Sequence, residues 1–393
     1  MLSAYSQPRT FRIAGKFTPM SFDSALVPEP SAVPHPSVES RIHGCLLGGA
    51  LGDSLGYAVE FDSISRIRER FGPEGLQDFT RLDGGSHFSD DTQMTLYTVD
   101  GLVEVLEWAN EGVGADTNAC LWLAYLRWLA TQDVPLPPSA PAPLPRWIDG
   151  HDVLRHRRAP GNACLSGLST GEMGTVYRPV NPDSKGCGTV MRSAPFGLIP
   201  HIPAESVYKL SSDAASLTHG HPSARQSAGA FSLIIHNLIQ GKGLRSAVES
   251  ALAHTRALAE PCRELVGRLD SALRSAAAAG PEGNGILSPE ELVRTLGEGW
   301  VAEEALAVAV YSVLATAPGS GNQGVDPQAH FQAAVRLAVN HSGDSDSTGS
   351  IAGNILGAHY GQACLPSDWL EALEAPDLIR GMAAQLASVT GAA

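Results

Sequence analysis

Two stretches of this chain place glycine at every fourth position: Gly44, Gly48, Gly52 and Gly56 near the start, and Gly349, Gly353, Gly357 and Gly361 near the end. A four-residue spacing keeps each set close to one face of an α-helix. Glycine inside a helix is about 1 kcal/mol less favourable than alanine, so each stripe needs a compensating gain. Close approach of two backbones is such a gain, as in the small-residue seams of paired membrane helices, here inside a soluble core. The two stretches are read as central helices that could lie side by side. The alternative is that some of these glycines sit in loops.

Helical spacing recurs elsewhere. Leu96, Val99, Val103 and Leu106 fall on one face at intervals of three and four, directly after the capping candidates Asp90 and Asp91. Similar patterns cover residues 118–130, 204–217, 223–239, 244–258, 262–277, 302–315, 327–339 and 379–387. No run of apolar–polar alternation bounded by hairpin turns competes with them, so the expected fold is an all-α bundle. Pro28, Pro30, Pro34 and Pro36 cannot continue a helix, and order is expected to begin near Val38. Breaks at 135–145, 170–184 and 280–285 are too short to separate two cores. The expected organisation is a disordered leader, residues 1–37, followed by one compact domain, residues 38–391.

Charge narrows the function classes. Of 393 residues, 27 are Lys or Arg and 41 are Asp or Glu, and a formal charge of -14 repels a nucleic-acid backbone at long range. A nucleotide-sized ligand stays possible, since a divalent cation can mask a pyrophosphate. The best apolar run, 305–317, falls short of the ~20 residues a membrane span requires. Six cysteines lie far apart with no CxxC pair, which fits a reducing cytoplasm better than a disulfide or zinc framework. The expectation is a cytoplasmic monomer with no membrane and no general nucleic-acid partner.

Two acidic clusters carry the chemistry. Ser89-Asp90-Asp91-Thr92 sits at the start of a long helix, where Ser and Asp ordinarily cap free amides. Two consecutive carboxylates exceed what one cap needs, and a cation between them would relieve their repulsion. The second cluster, Ser342-Gly343-Asp344-Ser345-Asp346-Ser347-Thr348, opens another helix. Alternate residues of an extended loop face one side, so Asp344 and Asp346 can converge on a hard cation beside the Ser347 hydroxyl. A calcium-binding EF-hand is excluded, because its twelfth position would be Ile355. Asp53 reads as a member of a polar network, and Glu60 as either a surface residue or part of a site. Gly186 and Gly188 could expose amides to a phosphate, although a short Gly-x-Gly is weak evidence. His219 and His221 lack a thiolate partner and read as structural or ligand-stacking before they read as zinc ligands.

Taken in order, GCLLGGALGDSLGYAVE, FSDDTQMTL, SKGCGTVMRSAPFGL, THGHP and SGDSDSTGSIAGNILGAHYG resemble the ADP-ribosylglycohydrolase family, from about Ile42 to Gly361. The resemblance implies a single orthogonal helical domain with two magnesium ions at its centre, manganese being able to replace them. It implies metal ligation by Ser89, Asp90, Asp91, Asp344, Asp346 and Ser347. Catalytic work would fall to Asp90, Asp91, Glu60 and Asp346, with Glu60 on a loop that closes over the site. Ser184, Lys185, Gly186 and Gly188 fall where the family wraps the phosphates, and His219 where a histidine lies near the adenosine. Three positions depart from its pattern: Cys187 stands for asparagine, Ser347 for threonine and Lys185 for an aromatic residue of the serine-linkage enzymes.

The activity so implied is magnesium-dependent hydrolysis of the bond between ADP-ribose and a modified protein side chain or small-molecule conjugate. Two other readings stay open: a catalytically silent ADP-ribose-binding member of the fold, and a di-metal nucleotide phosphohydrolase.

Overall fold

The computed structural model describes residues 36–82, 85–280, 285–318 and 326–393. The chain divides into Met1–Pro34 and His35–Ala393, and everything below concerns the second part. The expected leader lies outside the described residues except for Pro36 and Ser37, as do parts of the glycine-containing segments 83–89 and 280–285.

Sixteen α-helices are present among the described residues. In chain order the first five are α1 (Val38–Tyr57), α2 (Ile64–Phe71), α3 (Asp90–Asn110), α4 (Thr117–Thr131) and α5 (Asn162–Leu168). There follow α6 (Ala194–Gly197), α7 (Ala204–Ala215), α8 (Pro222–Ile239), α9 (Leu244–Arg256), α10 (Arg263–Ala279) and α11 (Pro289–Leu296). The last are α12 (Ala302–Ala315), α13 (Pro327–Val339), α14 (Ser345–Tyr360), α15 (Ser367–Ala372) and α16 (Pro376–Val389). The one β pairing among them is an isolated bridge between Gly186 and Val301. The fold is all-α, as the periodicity requires.

Helices with strong periodicity begin and end within a few residues of the expected positions. The short ones, α2, α5, α6, α11 and α15, have no counterpart in the sequence reading. One or two turns hold too few apolar repeats to stand out, even where a face is as definite as Ile64, Ile67 and Phe71 in α2. The apolar run at 305–317 is explained by α12, which is buried on every side from Ala305 to Ala315. No described helix is long and apolar enough to cross a membrane.

The two glycine stripes meet. Helices α1 and α14 run antiparallel, and a Cβ placed on Gly357 would lie 1.9 Å from the Gly44 carbonyl oxygen. The same construction puts Gly353 2.0 Å from the Gly48 oxygen and Gly52 2.0 Å from the Gly349 oxygen. No side chain fits between them. Asn354 donates to the Cys45 carbonyl across the seam at 2.7 Å. At one end the buried Arg41 of α1 donates to the carbonyls of Ala358 (2.8 Å) and His359 (2.7 Å), so a cation closes the negative end of α14. Gly361 departs from the expected stripe: it ends α14 with φ +69°, a left-handed conformation that glycine adopts without strain. At the other end of the seam, Gly56 packs on the backbone of Ser345 and Asp346, the first residues of α14.

Candidate active site

The N-terminus of α3 is assembled from three places in the chain. Ser89 is its N-cap, the hydroxyl accepting from the Asp91 N–H at 3.2 Å. Asp53, one turn before the end of α1, accepts from the N–H groups of Ser89 (2.9 Å) and Thr92 (2.9 Å) and from the Thr92 hydroxyl. It therefore serves the polar network its sequence position suggested. The Asp90 N–H donates to the carbonyl of Arg158 at 3.1 Å, and Asp90 Oδ2 accepts from the Gly161 N–H at 3.2 Å. Arg158 is itself held by Glu374 and by the Phe88 carbonyl. All four free amides of the helix start, those of Ser89, Asp90, Asp91 and Thr92, are satisfied, and both acids of its first turn sit at the positive end of the dipole.

The N-terminus of α14 is built more locally. Asp344 is its N-cap, with Oδ1 accepting from the Ser347 N–H at 3.3 Å, and Asp346 Oδ1 accepts from the same N–H at 2.8 Å. The Asp344 N–H donates to the Glu298 carbonyl at 2.9 Å, which ties the loop before α14 to the loop before α12. That second loop also fixes the opposite wall. The Cys187 N–H donates to the Trp300 carbonyl (3.2 Å) and the Ala302 N–H to the Lys185 carbonyl (2.9 Å) on either side of the Gly186–Val301 bridge. Across the gap, the Cys187 thiol donates to Asp344 Oδ2 at 2.7 Å. Burial pushes that thiol upward, which keeps its proton in place.

Between these parts lies a cleft of ≈ 730 Å³. Glu60, Asp90, Asp91, Asp344, Asp346 and Ser347 line it on the acidic side, and Gly186, Gly188 and His219 on the other. Ser89 is fully buried behind Asp91 and is not part of the cleft lining. Ser184 lines a neighbouring, more open depression with Asn181 and Ser166. The Lys185 ammonium is paired with Glu264 (3.0 Å) and Glu303 (3.2 Å) rather than directed into the cleft.

Several wall residues were not singled out by the sequence. Phe61 and Trp300 form a stacked pair at the cleft, with ring centroids 6.2 Å apart and 19° between planes. Both are exposed large apolar rings, a property visible only once the chain is folded. Cys164 also lines the cleft, beneath Gly188. Arg158 acts through its backbone carbonyl, which no side-chain motif could disclose.

The electrostatics are one-sided. Burial first, and the nearby carboxylates with it, raise Asp90, Asp91 and Asp344 well above the usual carboxylate range. The same causes push Glu60 up to about 10 and Asp53 up to about 7, with the Asp346 charge the largest electrostatic contribution to each. Asp91 Oδ2 and Glu60 Oε2 are buried with no hydrogen-bond partner. Such a set of uncompensated oxygens suits a hard divalent cation such as magnesium, which binds carboxylates and hydroxyls and would cancel the repulsion. No three His, Cys, Asp or Glu side chains among the described residues are gathered closely enough to form a ready cage on their own. Serine hydroxyls and water would have to complete the coordination, as is usual for magnesium.

Comparison with known proteins shows the family. The family model described as ADP-ribosylglycohydrolase matches residues 34–393. The ADP-ribosyl-[dinitrogen reductase] glycohydrolase of Rhodospirillum rubrum is 26% identical over 345 residues, 86% of this chain and 92% of its own. ADP-ribosylhydrolase ARH3 of Mus musculus is 24% identical, over 85% of this chain and 88% of its own. ADP-ribosylarginine hydrolase Tri1 of Serratia proteamaculans is 21% identical, over 91% and 81% respectively. A solved structure titled ADP-ribosylglycohydrolase-related protein complex shares the fold, with TM-score 0.61 and 23% identity over 90% of this chain and 99% of that one.

Proposed function

Because this chain belongs to the ADP-ribosylglycohydrolase family, we propose that it is a hydrolase that cleaves the glycosidic bond between ADP-ribose and a modified acceptor, a protein side chain before a small molecule. The observation that carries this reading is the convergence of two acidic helix starts, remote in sequence, on one cleft whose far wall is Gly186, Gly188 and His219.

Magnesium would be held by Asp90, Asp91, Asp344 and Asp346 with hydroxyl help from Ser347, and when bound supplies Lewis-acid polarisation of sugar hydroxyls or water. The rest belongs to the chain. With the sugar bound in the cleft, the field of these carboxylates would favour the positive charge of an oxocarbenium-like centre at the anomeric carbon. Glu60, with Oε2 buried, free of donors and facing the cleft, is placed to take or deliver a proton at the scissile bond. A pyrophosphate would dock on the backbone around Gly186 and Gly188, where the space a side chain would take is filled by the His219 ring and Cys164.

The test is product analysis with magnesium and a panel of arginine-, serine-, base- and metabolite-linked ADP-ribose. Release of free ADP-ribose from one linkage is expected. Binding without release would favour the silent member of the fold, and inorganic phosphate or a shortened nucleotide would favour a phosphohydrolase.

A further inference from the structure

Behind the cleft wall sits a buried cation with no acid partner. Arg192 is 2% exposed, and among the described residues no carboxylate stands within ion-pair distance of it. Its guanidinium lies over the Tyr125 ring, 4.6 Å from the centroid. Nη1 is directed at Cys164 Sγ (3.3 Å) and Met94 Sδ (3.6 Å), and Nη2 donates to Thr218 Oγ1 at 2.7 Å. Thr218 Oγ1 lies in turn 2.8 Å from Nδ1 of His219. All three polar residues are buried.

The direction of this relay follows from what each group can do. A guanidinium only donates, so the Thr218 oxygen accepts from Arg192 and has one hydrogen left to place. Cys164 sulfur is a weak acceptor, whereas a bare imidazole nitrogen is a strong one. With Thr218 donating to Nδ1, the proton of the neutral ring must be on Nε2. Burial, reinforced by the Arg192 charge, lowers His219 to about 3 and keeps the ring neutral at physiological pH. The other titratable group packed nearby, Cys164, is pushed up to about 11 by its burial and remains a thiol.

Nε2 lies against the two glycines of the cleft wall. A Cβ placed on Gly186 would lie 3.3 Å from Nε2, and one on Gly188 would lie 3.1 Å from Cε1 and 2.9 Å from Cys164 Sγ. The ring edge occupies the space that side chains at these positions would need. Nε2 has no hydrogen-bond partner among the described residues, and His219 lines the cleft.

We propose that Arg192 and Thr218 are positioning residues that lock His219 as its Nε2–H tautomer, so that the ring presents a fixed, uncharged hydrogen-bond donor to an acceptor atom of the ligand beside Gly186 and Gly188. This rests on the ADP-ribose reading for the identity of the ligand, but not for the tautomer. A charged imidazolium would add a second proton at Nδ1 against the Thr218 hydroxyl, and a ring with Nδ1–H would turn a bare nitrogen toward the ligand. His219 is accordingly a donor and neither a proton carrier nor a metal ligand.

The experiment combines histidine-labelled NMR with calorimetric binding of ADP-ribose in magnesium. In the ligand-free protein, Nδ1 of His219 should resonate as an unprotonated nitrogen and Nε2 as a protonated one, with no titration from pH 5 to 8. Thr218→Val should lose that tautomer preference and weaken ADP-ribose roughly 3- to 10-fold, the range for one hydrogen bond, while Thr218→Ser restores both. Arg192→Lys should fall between them. A protonated Nδ1 in the wild type, a midpoint between pH 5 and 8, or a Thr218→Val protein that is folded and binds like the wild type would overturn the proposal. If the wild type binds no ADP-ribose, the functional reading fails, while the tautomer is still decided by the ligand-free spectra.

Discussion

Along most of their length α1 and α14 touch backbone to backbone, with glycine opposite glycine and no room for a methyl group. At the end of the same pair, where Gly56 meets Ser345 and Asp346, the packing gives way to acids, and five further carboxylates stand within reach of one another around or beside the cleft. The seam is complementary and neutral. The cleft gathers like charges that burial alone would disfavour. The two are linked mechanically, since Asp53 leaves α1 to hold the start of α3 and Asp346 opens α14. The seam supplies the rigidity that lets repelling groups be held in place, and the cleft leaves Asp91 Oδ2 and Glu60 Oε2 buried without a hydrogen-bond partner.

The largest effect is expected from breaking the seam. Gly357→Ala puts a methyl group 1.9 Å from a backbone oxygen that cannot move aside alone, so a loss of about 3 kcal/mol or more should appear in chemical denaturation. Activity should fall with it, because both acidic helix starts depend on the pair.

Breaking the cleft should do the reverse. Asp346 contributes to raising each of Asp53, Glu60, Asp90, Asp91 and Asp344. Asp346→Asn should reduce turnover by roughly 100-fold, as disturbed metal sites do, yet make the metal-free protein no less stable than the wild type. Activity assays paired with denaturation of the chelated protein check both halves.

A third measurement sharpens the contrast through pH. Carboxylates raised in the folded state bind protons there that the unfolded chain has released, so their stabilising contribution is complete below the ordinary carboxylate range. It is lost as pH rises through the raised values, among them that of Glu60 at about 10. The melting temperature of chelated protein should therefore fall between pH 5 and 9, and magnesium should flatten that slope. A slope unaffected by magnesium would separate the cleft from metal binding.

The smallest effect has the opposite sign to the seam. Gly267 lies on the exposed side of α10 with nothing within 4 Å of an added Cβ. Gly267→Ala should stabilise by up to about 1 kcal/mol, the difference in helix propensity, so the same substitution separates packing from propensity.

Much of this molecule was legible before folding. The helices that carry the core announced themselves by period, the glycine spacing marked α1 and α14 as central helices that could lie side by side, and the acids at the starts of α3 and α14 stood out as more than one cap needs. Ser184 and Lys185, drawn in by their place in a motif, lie away from the cleft lining, Lys185 in a double ion pair with Glu264 and Glu303. A motif fixes the neighbourhood of a residue and leaves the direction of its side chain to whatever partners the fold brings near.

What the sequence determined by itself is therefore everything that repeats locally: helical period, capping, a glycine every fourth residue, two carboxylates in a first turn. Only the tertiary structure decided that Asp53 caps α3 from another helix, that the Arg158 carbonyl receives the Asp90 amide, and that Arg192 reaches His219 through Thr218. The physical reason is range. Periodicity and capping are set by neighbours a few residues apart, whereas a buried hydrogen bond between distant segments has no local signature and exists only once the chain has closed around it.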